Sequence, residues 1–241
     1  MKPITRFVLL AAAGAAGAVN APLAAQSYQG NTEFPRNAMA GAGLQFGSPQ
    51  GEFSRNVDAT LGINGFFGWR IGSSPIAIRG DLGYNIYGSK SRRVPLGSGP
   101  LGLVNVDVNT TNNILDGGIG LQAGLPGASV RPYVGGSIGF SYFFTSSSVS
   151  GTNQSTEDAF ASSTNYDDNT FAKSLFGGFY VPIGGKGAQL DIGARYHWNG
   201  DARYLTERDI TFDANHNPVL SPHATRADLL TISVGIAFGR R

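Results

Sequence analysis

The chain has no cysteine, which excludes a disulfide framework and any thiolate metal site. Charge is sparse, at 14% of residues, and the excess of one sign is a small +2. That excess sits in the first residues. Lys2 and Arg6 open the chain, an apolar stretch from Phe7 to Val19 follows, and Leu23-Ala24-Ala25 ends in small residues before Gln26. This is the layout of a secretory signal peptide, expected over residues 1–25 with cleavage after Ala25. Removing it leaves 16 of the 18 basic residues against 16 acidic ones. A nucleic-acid partner, which needs a concentrated basic face, therefore has no support. After the leader no apolar run approaches the roughly 20 residues of a spanning helix. If the chain crosses a membrane, it does so with strands.

What is present is alternation. From Leu230 to Phe238 the even positions are Leu, Ile, Val, Ile and Phe, and Thr231, Ser233, Gly235 and Ala237 lie between them. An extended strand sends successive side chains to opposite faces, so one face is large and apolar and the other small and polar. The 35 glycines fall at period-two positions inside such segments, not in a collagen-like triplet repeat. Eight segments carry the pattern, at roughly 37–47, 57–71, 76–89, 104–124, 130–147, 169–184, 188–203 and 225–239.

Their connections alternate in length. Gly72-Ser73-Ser74-Pro75, Leu125-Pro126-Gly127-Ala128-Ser129 and Gly184-Gly185-Lys186-Gly187 are short and rich in turn formers. The connections across Ser91–Gly102, Ser148–Asp168 and Leu205–Arg226 are long. Short turns on one side and long loops on the other describe an outer-membrane barrel, with both termini on the periplasmic side.

Alternation alone does not decide which face points outward, since a soluble lipocalin-like barrel puts its apolar face inside. Two features favour the inverted arrangement. The polar face is poor in Lys and Glu and rich in Gly, Ser, Asn and paired Arg and Asp. The outward aromatics cluster near strand ends, with Trp69 and Phe238 low and Phe46, Phe144 and Trp198 high, as two interfacial girdles. The expected fold is thus all-β: a closed eight-stranded antiparallel transmembrane β-barrel, an up-and-down meander. The barrel domain spans residues 37–241, after a periplasmic tail over 26–36.

The signal peptide, the eight alternating segments and the terminal strand T-I-S-V-G-I-A-F resemble the small outer-membrane β-barrel proteins. More narrowly, they resemble barrel-only relatives of the outer-membrane protein A type, often termed porin-like. Gly193-Ala194-Arg195-Tyr196, Asn199-Gly200, Tyr204-Leu205-Thr206-Glu207 and Asp228-Leu229-Leu230 are similar to the closing hairpin of such proteins. The resemblance implies location in the outer membrane, contact with its lipid and lipopolysaccharide, insertion by the barrel assembly machinery and a monomeric state. Members commonly end on an aromatic residue, whereas here Gly239-Arg240-Arg241 follow Phe238. Cell-wall anchoring of the two-domain kind is not implied by the resemblance.

Candidate chemistry is thin. Arg70, Arg79, Asp81, Asp116, Asp191 and Arg195 fall on the lumen face, and an eight-stranded barrel is narrow enough for side chains to fill. Charges buried there must pair, so the six are expected to form a structural network, with a polar path for a small solute as the alternative reading. His197 shares that face, with Asp191 and Asp201 nearby in sequence, but no nucleophile motif accompanies it. Loop 148–168, rich in Ser, Thr and Asn, reads as solvated because it lacks a core-forming composition. Lys90, Arg92, Arg93 and Lys173 are rim cations suited to lipopolysaccharide phosphates. The expected function is that of a non-enzymatic surface barrel with a filled lumen, without cofactor or metal. The alternatives are a narrow channel or carrier and, behind it, a surface hydrolase.

Overall fold

The computed structural model describes residues 35–95, 105–125, 129–151, 161–183, 187–206, 209–212 and 218–239. The expected signal peptide, most of the expected tail and the closing Arg240-Arg241 lie outside the described residues. Eight strands close on themselves: β1 (Ala38–Pro49), β2 (Thr60–Arg70), β3 (Ile76–Pro95), β4 (Asn105–Gly124), β5 (Arg131–Gly151), β6 (Ala161–Pro182), β7 (Ala188–Asn199) and β12 (Leu229–Gly239). Each barrel strand pairs antiparallel with its neighbours in chain order, and β12 returns to β1. The seam runs without a break from Met39↔Gly239 to Pro49↔Leu229. Closure matters because each unpaired backbone N–H or C=O in hydrocarbon costs several kcal/mol.

The wall is inside-out. Along β2, Leu61, Ile63, Phe67 and Trp69 are exposed, while Thr60 and Phe66 on the other phase are buried. The outward side chains are among the most exposed in the molecule: Leu44 at 66%, Ile119 at 68%, Ile138 at 64% and Phe171 at 63%. Arg79, Asn85, Gln122 and Asp191 lie buried inside. A soluble monomer does not present an apolar surface continuous around its whole girth. β2, with 11 residues, has the length of a tilted strand crossing hydrocarbon, which takes about 9–11. Trp69 and Phe238 sit one residue inside the inner ends of β2 and β12. At the outer level Tyr196 and Trp198 lie 4.7 Å apart and Tyr142 and Phe144 lie 5.3 Å apart.

The inner connection from β2 to β3 is a tight turn. Ile71 N donates to Ile76 O at 2.9 Å and Ser74 N to Ile71 O at 3.0 Å, with Gly72 at φ 57°. A residue with a Cβ is strained in that left-handed conformation. The outer ends are longer than the alternation suggested. β3 continues to Pro95 and β4 begins at Asn105, so residues 91–95 of the expected loop 91–102 are strand, and the rest of it lies outside the described residues. Likewise β5 reaches Gly151 and β6 starts at Ala161, so residues 148–151 and 161–168 of the expected loop are strand, and 152–160 lie outside the described residues. Polar cross-strand pairs replace an apolar core there: Thr110 with Ser147 at 2.8 Å, and Thr145 donating to Asn112 at 2.7 Å.

The last long connection folds as well. β7 stops at Asn199, and β8 (Asp201–Tyr204) leaves the barrel to pair with β11 (His223–Arg226). β9 (Ile210–Phe212) pairs with β10 (Pro218–Leu220).

Candidate functional site

The lumen is filled at mid-height. Asp81 Oδ1 accepts from Arg79 Nε at 2.8 Å and from Arg195 Nη2 at 2.6 Å. Arg79 also donates through Nη1 to Gln122 Oε1 at 2.6 Å and to the Tyr180 hydroxyl at 3.2 Å. Arg195 Nη1 donates to Ser174 Oγ at 3.0 Å and Ser137 Oγ at 3.2 Å. The Phe176 ring lies beside both guanidinium groups, 4.8 Å from Arg79 and 4.3 Å from Arg195, and the Phe66 ring lies 3.8 Å from Arg79. One carboxylate thus holds two cations that would otherwise repel each other across a narrow bore, and aromatic faces satisfy what it leaves over.

Of the six expected lumen charges, the structure brings Arg79, Asp81 and Arg195 into this ion-paired unit. Asp191 instead accepts from the Tyr133 hydroxyl at 2.7 Å, and Asp116 from Asn85 Nδ2 at 3.3 Å. Arg70 stands apart at the inner end of β2, half-buried and without an ion pair among the described residues.

At the outer mouth a buried aromatic cluster crosses the bore. Phe53, in a single 3-10 turn between β1 and β2, is fully buried at the centre of an aromatic cluster. Its ring meets Tyr204 at 5.0 Å, Tyr87 at 5.9 Å and Phe143 at 6.1 Å, each edge to face. Ile114, Leu229 and Val57 complete the packing. β3 shifts register between Ile86 and Gly88, so Tyr87 is carried as an extra residue in a bulge beneath the cap.

Hydrogen bonds tie the cap to the wall. Tyr87 donates to Leu205 O at 3.2 Å and Asn56 Nδ2 to the Tyr204 hydroxyl at 3.0 Å. Asp209 braces the 201–226 segment. Its Oδ2 accepts from Thr206 N at 2.6 Å and Thr206 Oγ1 at 2.7 Å, while Oδ1 lies 3.0 Å from His223 Nε2.

His197 pairs in register with Leu229 of the cap and is buried at 5% exposure. Of the expected rim cations, Arg93 donates to Asp107 at 3.0 Å, which raises its pKa above the ordinary guanidinium value. Lys173 faces outward between Phe171 and Leu175, beside Trp198 in register. The side chain of Arg92 lies outside the described residues.

The inner mouth differs from both layers above it. Between the inner turns lies a cavity of about 820 Å³, lined by Arg70, Arg131, Gln122, Tyr133, Tyr180 and Met39 among others. The phenol rings of Tyr133 and Tyr180 stack there at 4.4 Å.

An apolar belt facing outward around a polar bore admits one environment. The chain is an eight-stranded transmembrane β-barrel. No family model and no curated protein matches it. Among solved structures it is similar to Neisserial surface protein A, at 11% identity and a TM-score of 0.42 over 83% of this chain and 96% of that one. It is also similar to the outer membrane protein OprG from Pseudomonas aeruginosa, at 13% identity and a TM-score of 0.42 over 84% and 94%. A third is the outer membrane protein W of E. coli, at 15% identity and a TM-score of 0.40 over 84% and 97%. At these values the likeness carries no argument about what this barrel does.

Proposed function

We propose that this protein is a non-enzymatic surface barrel of the outer membrane, with a closed lumen and outer hairpins available for interaction. The observation that carries this reading is the double seal. An ion-paired layer around Asp81 and an aromatic layer around Phe53 cross the bore at two heights, which supports a closed lumen. A conducting pore needs a continuous wet path, and two such layers weigh against one. The burial of His197 beside the cap supports the absence of hydrolysis, because a general base must reach its substrate. The extended β3–β4 and β5–β6 hairpins and the β8–β11 segment supply the surface for partners. Lys173, beside Trp198 at the outer girdle, is suited to the phosphate of lipopolysaccharide.

The lack of native cysteine makes sidedness directly measurable. Arg93→Cys, on the outer β3–β4 hairpin, should react with a membrane-impermeant maleimide on intact cells. Ser73→Cys, in the inner β2–β3 turn, should react only after the outer membrane is permeabilised. The reverse order, or equal labelling, would remove the proposed orientation.

A further inference from the structure

We propose that the outward face of the sheet standing above the membrane belt is a docking surface for the sugar headgroup of lipopolysaccharide. β2 stops pairing with β3 at Leu61↔Ile86, and β7 with β6 at Asn199↔Ala172. The pairing of β3 with β4 runs on to Pro95↔Asn105, that of β4 with β5 to Val106↔Gly151, and that of β5 with β6 to Val149↔Ala161. Beyond the belt these four strands continue as one sheet. Its outward face is continuous with the face that meets lipid.

That face changes chemistry within one step of the ladder. Tyr84, Leu115 and Tyr142 form one outward row, and Ile86, Asn113 and Phe144 the next. Above them come Ser89, Thr111 and Ser146, then Ser91, Asn109 and Ser148. Directly opposed residues share a face, so these two upper rows carry hydroxyls and one amide, and no charge. The row beyond holds the Arg93–Asp107 pair at 3.0 Å, whose charges cancel. A neutral face has little hold on an acidic or basic macromolecule. A sugar ring, by contrast, presents groups that donate and accept as Ser and Thr hydroxyls do.

The hydroxyls of the two faces differ in their partners. On the inward phase Thr110 and Ser147 bond each other at 2.8 Å, and Thr145 donates to Asn112 at 2.7 Å. Among the described residues no side-chain hydrogen bond engages Ser89, Ser91, Thr111, Ser146 or Ser148, all exposed or half-buried. Height selects the lipid. Ser148 lies four residues beyond Phe144 of the outer girdle. That is about 13 Å along a strand rising roughly 3.3 Å per residue, or about 10 Å of height at the usual barrel tilt. A phospholipid headgroup layer is only about 5–7 Å deep. A lipid that reaches the upper row must carry an extended head, as the sugar chain of lipopolysaccharide does.

The docking face rests on the surface-barrel reading above only for its leaflet, and the test needs no membrane orientation. The full barrel, folded in detergent, is incubated with equal amounts of two glycolipids. One is lipopolysaccharide with its complete core sugars; the other is lipid A, which keeps the phosphates and acyl chains without the core. Bound glycolipid is counted by native mass spectrometry after repurification. Wild type should retain the core-bearing form about tenfold over lipid A, as roughly three neutral hydrogen bonds net of water supply. Ser146→Ala and Ser148→Ala should each lower that ratio about twofold. The triple variant Thr111→Val, Ser146→Ala, Ser148→Ala should bring it near one, with folding of every variant checked by its gel shift. Lys173→Gln should reduce retention of both forms and keep the ratio, because both carry phosphate. Ser147→Ala, on the inward phase, should keep the ratio as well. A wild-type ratio near one, a ratio indifferent to the single and triple variants, or one that falls only with Lys173→Gln or Ser147→Ala would overturn the proposal. Conductance steps from the wild-type barrel would sink the closed-lumen reading without touching this ratio, so the two fail separately.

Discussion

The ring of Phe53 meets the ring of Tyr204 edge-on at a centroid distance of 5.0 Å. The two residues come from different connections, one after β1 and one after β7, and they meet over the barrel axis. A side chain from a 3-10 turn is thereby the keystone of a cap that joins inward residues of β3, β4, β5 and β12 to Ala202 and Tyr204 of β8.

Truncating that keystone should be costly. Phe53→Ala removes a fully buried ring and its edge-to-face partners, for which about 3–5 kcal/mol is the usual loss. Urea unfolding from lipid vesicles, followed by tryptophan fluorescence, should show that loss with the barrel still closed at Asp81. A change below about 1 kcal/mol would mean that the cap does not stabilise the fold.

Asp81→Asn should be the most damaging single change in the bore. It leaves Arg79 and Arg195 facing each other without a counter-ion, and breaking a buried pair costs about 3–5 kcal/mol. Unfolding midpoints would check this, and the double variant Asp81→Asn with Arg195→Gln should recover part of the loss. If the single variant were as stable as wild type, the ion-paired layer would not hold the barrel together.

Two glycines of β5 should respond oppositely to alanine. A Cβ at Gly139, on the inward phase, would collide with the backbone of Gly117 and Gly118 on β4. A Cβ at Gly136, on the outward phase, would come no nearer than 3.4 Å to the Ser174 carbonyl oxygen. Gly139→Ala should therefore lose most of the heat-modifiable folded form on an unboiled gel, and Gly136→Ala should keep it. Equal behaviour would contradict the β4–β5 register.

Asp209→Ala should loosen the outer segment without unfolding the barrel. It deletes the acceptor of Thr206 N and Oγ1 and the partner of His223. Limited trypsin digestion of the folded protein should then cut faster at Arg203 or Arg226, while the gel shift on boiling persists. Unchanged cleavage would show that Asp209 does not brace the segment.

The wall of this barrel is legible in the chain because alternation is a property of single strands. Leu61, Ile63, Phe67 and Trp69 announce their shared face before any partner is known, and the outward exposure of all four agrees. The pairing of β12 with β1 follows from the requirement that no edge remain open. The contents of the bore are harder to read, since they depend on which inward residues the strand tilt brings to one height. Arg79 and Arg195 stand far apart in sequence yet share Asp81. Asp116 and Asp191, read in the same charge pattern, find an amide and a phenol instead.

One overlooked signal was present. Phe66-Phe67, Phe143-Phe144 and Phe179-Tyr180 are adjacent pairs, and alternation forces one member of each inward. Phe66, Phe143 and Tyr180 are the buried members, and they belong to the two interior clusters. The cap lay beyond this logic because Phe53 belongs to no strand. The outer hairpins run further than their composition suggests, because polar Ser, Thr and Asn stretches cannot form a core, whereas a ladder already begun in the membrane can continue in water on its own backbone bonds.

Reconstitution of the wild-type barrel into planar lipid bilayers, with current recorded in concentrated potassium chloride, bears most directly on the double seal. The account predicts insertion, verified by the gel shift of recovered protein, with no defined conductance steps. Reproducible steps of uniform size from wild-type protein would contradict it.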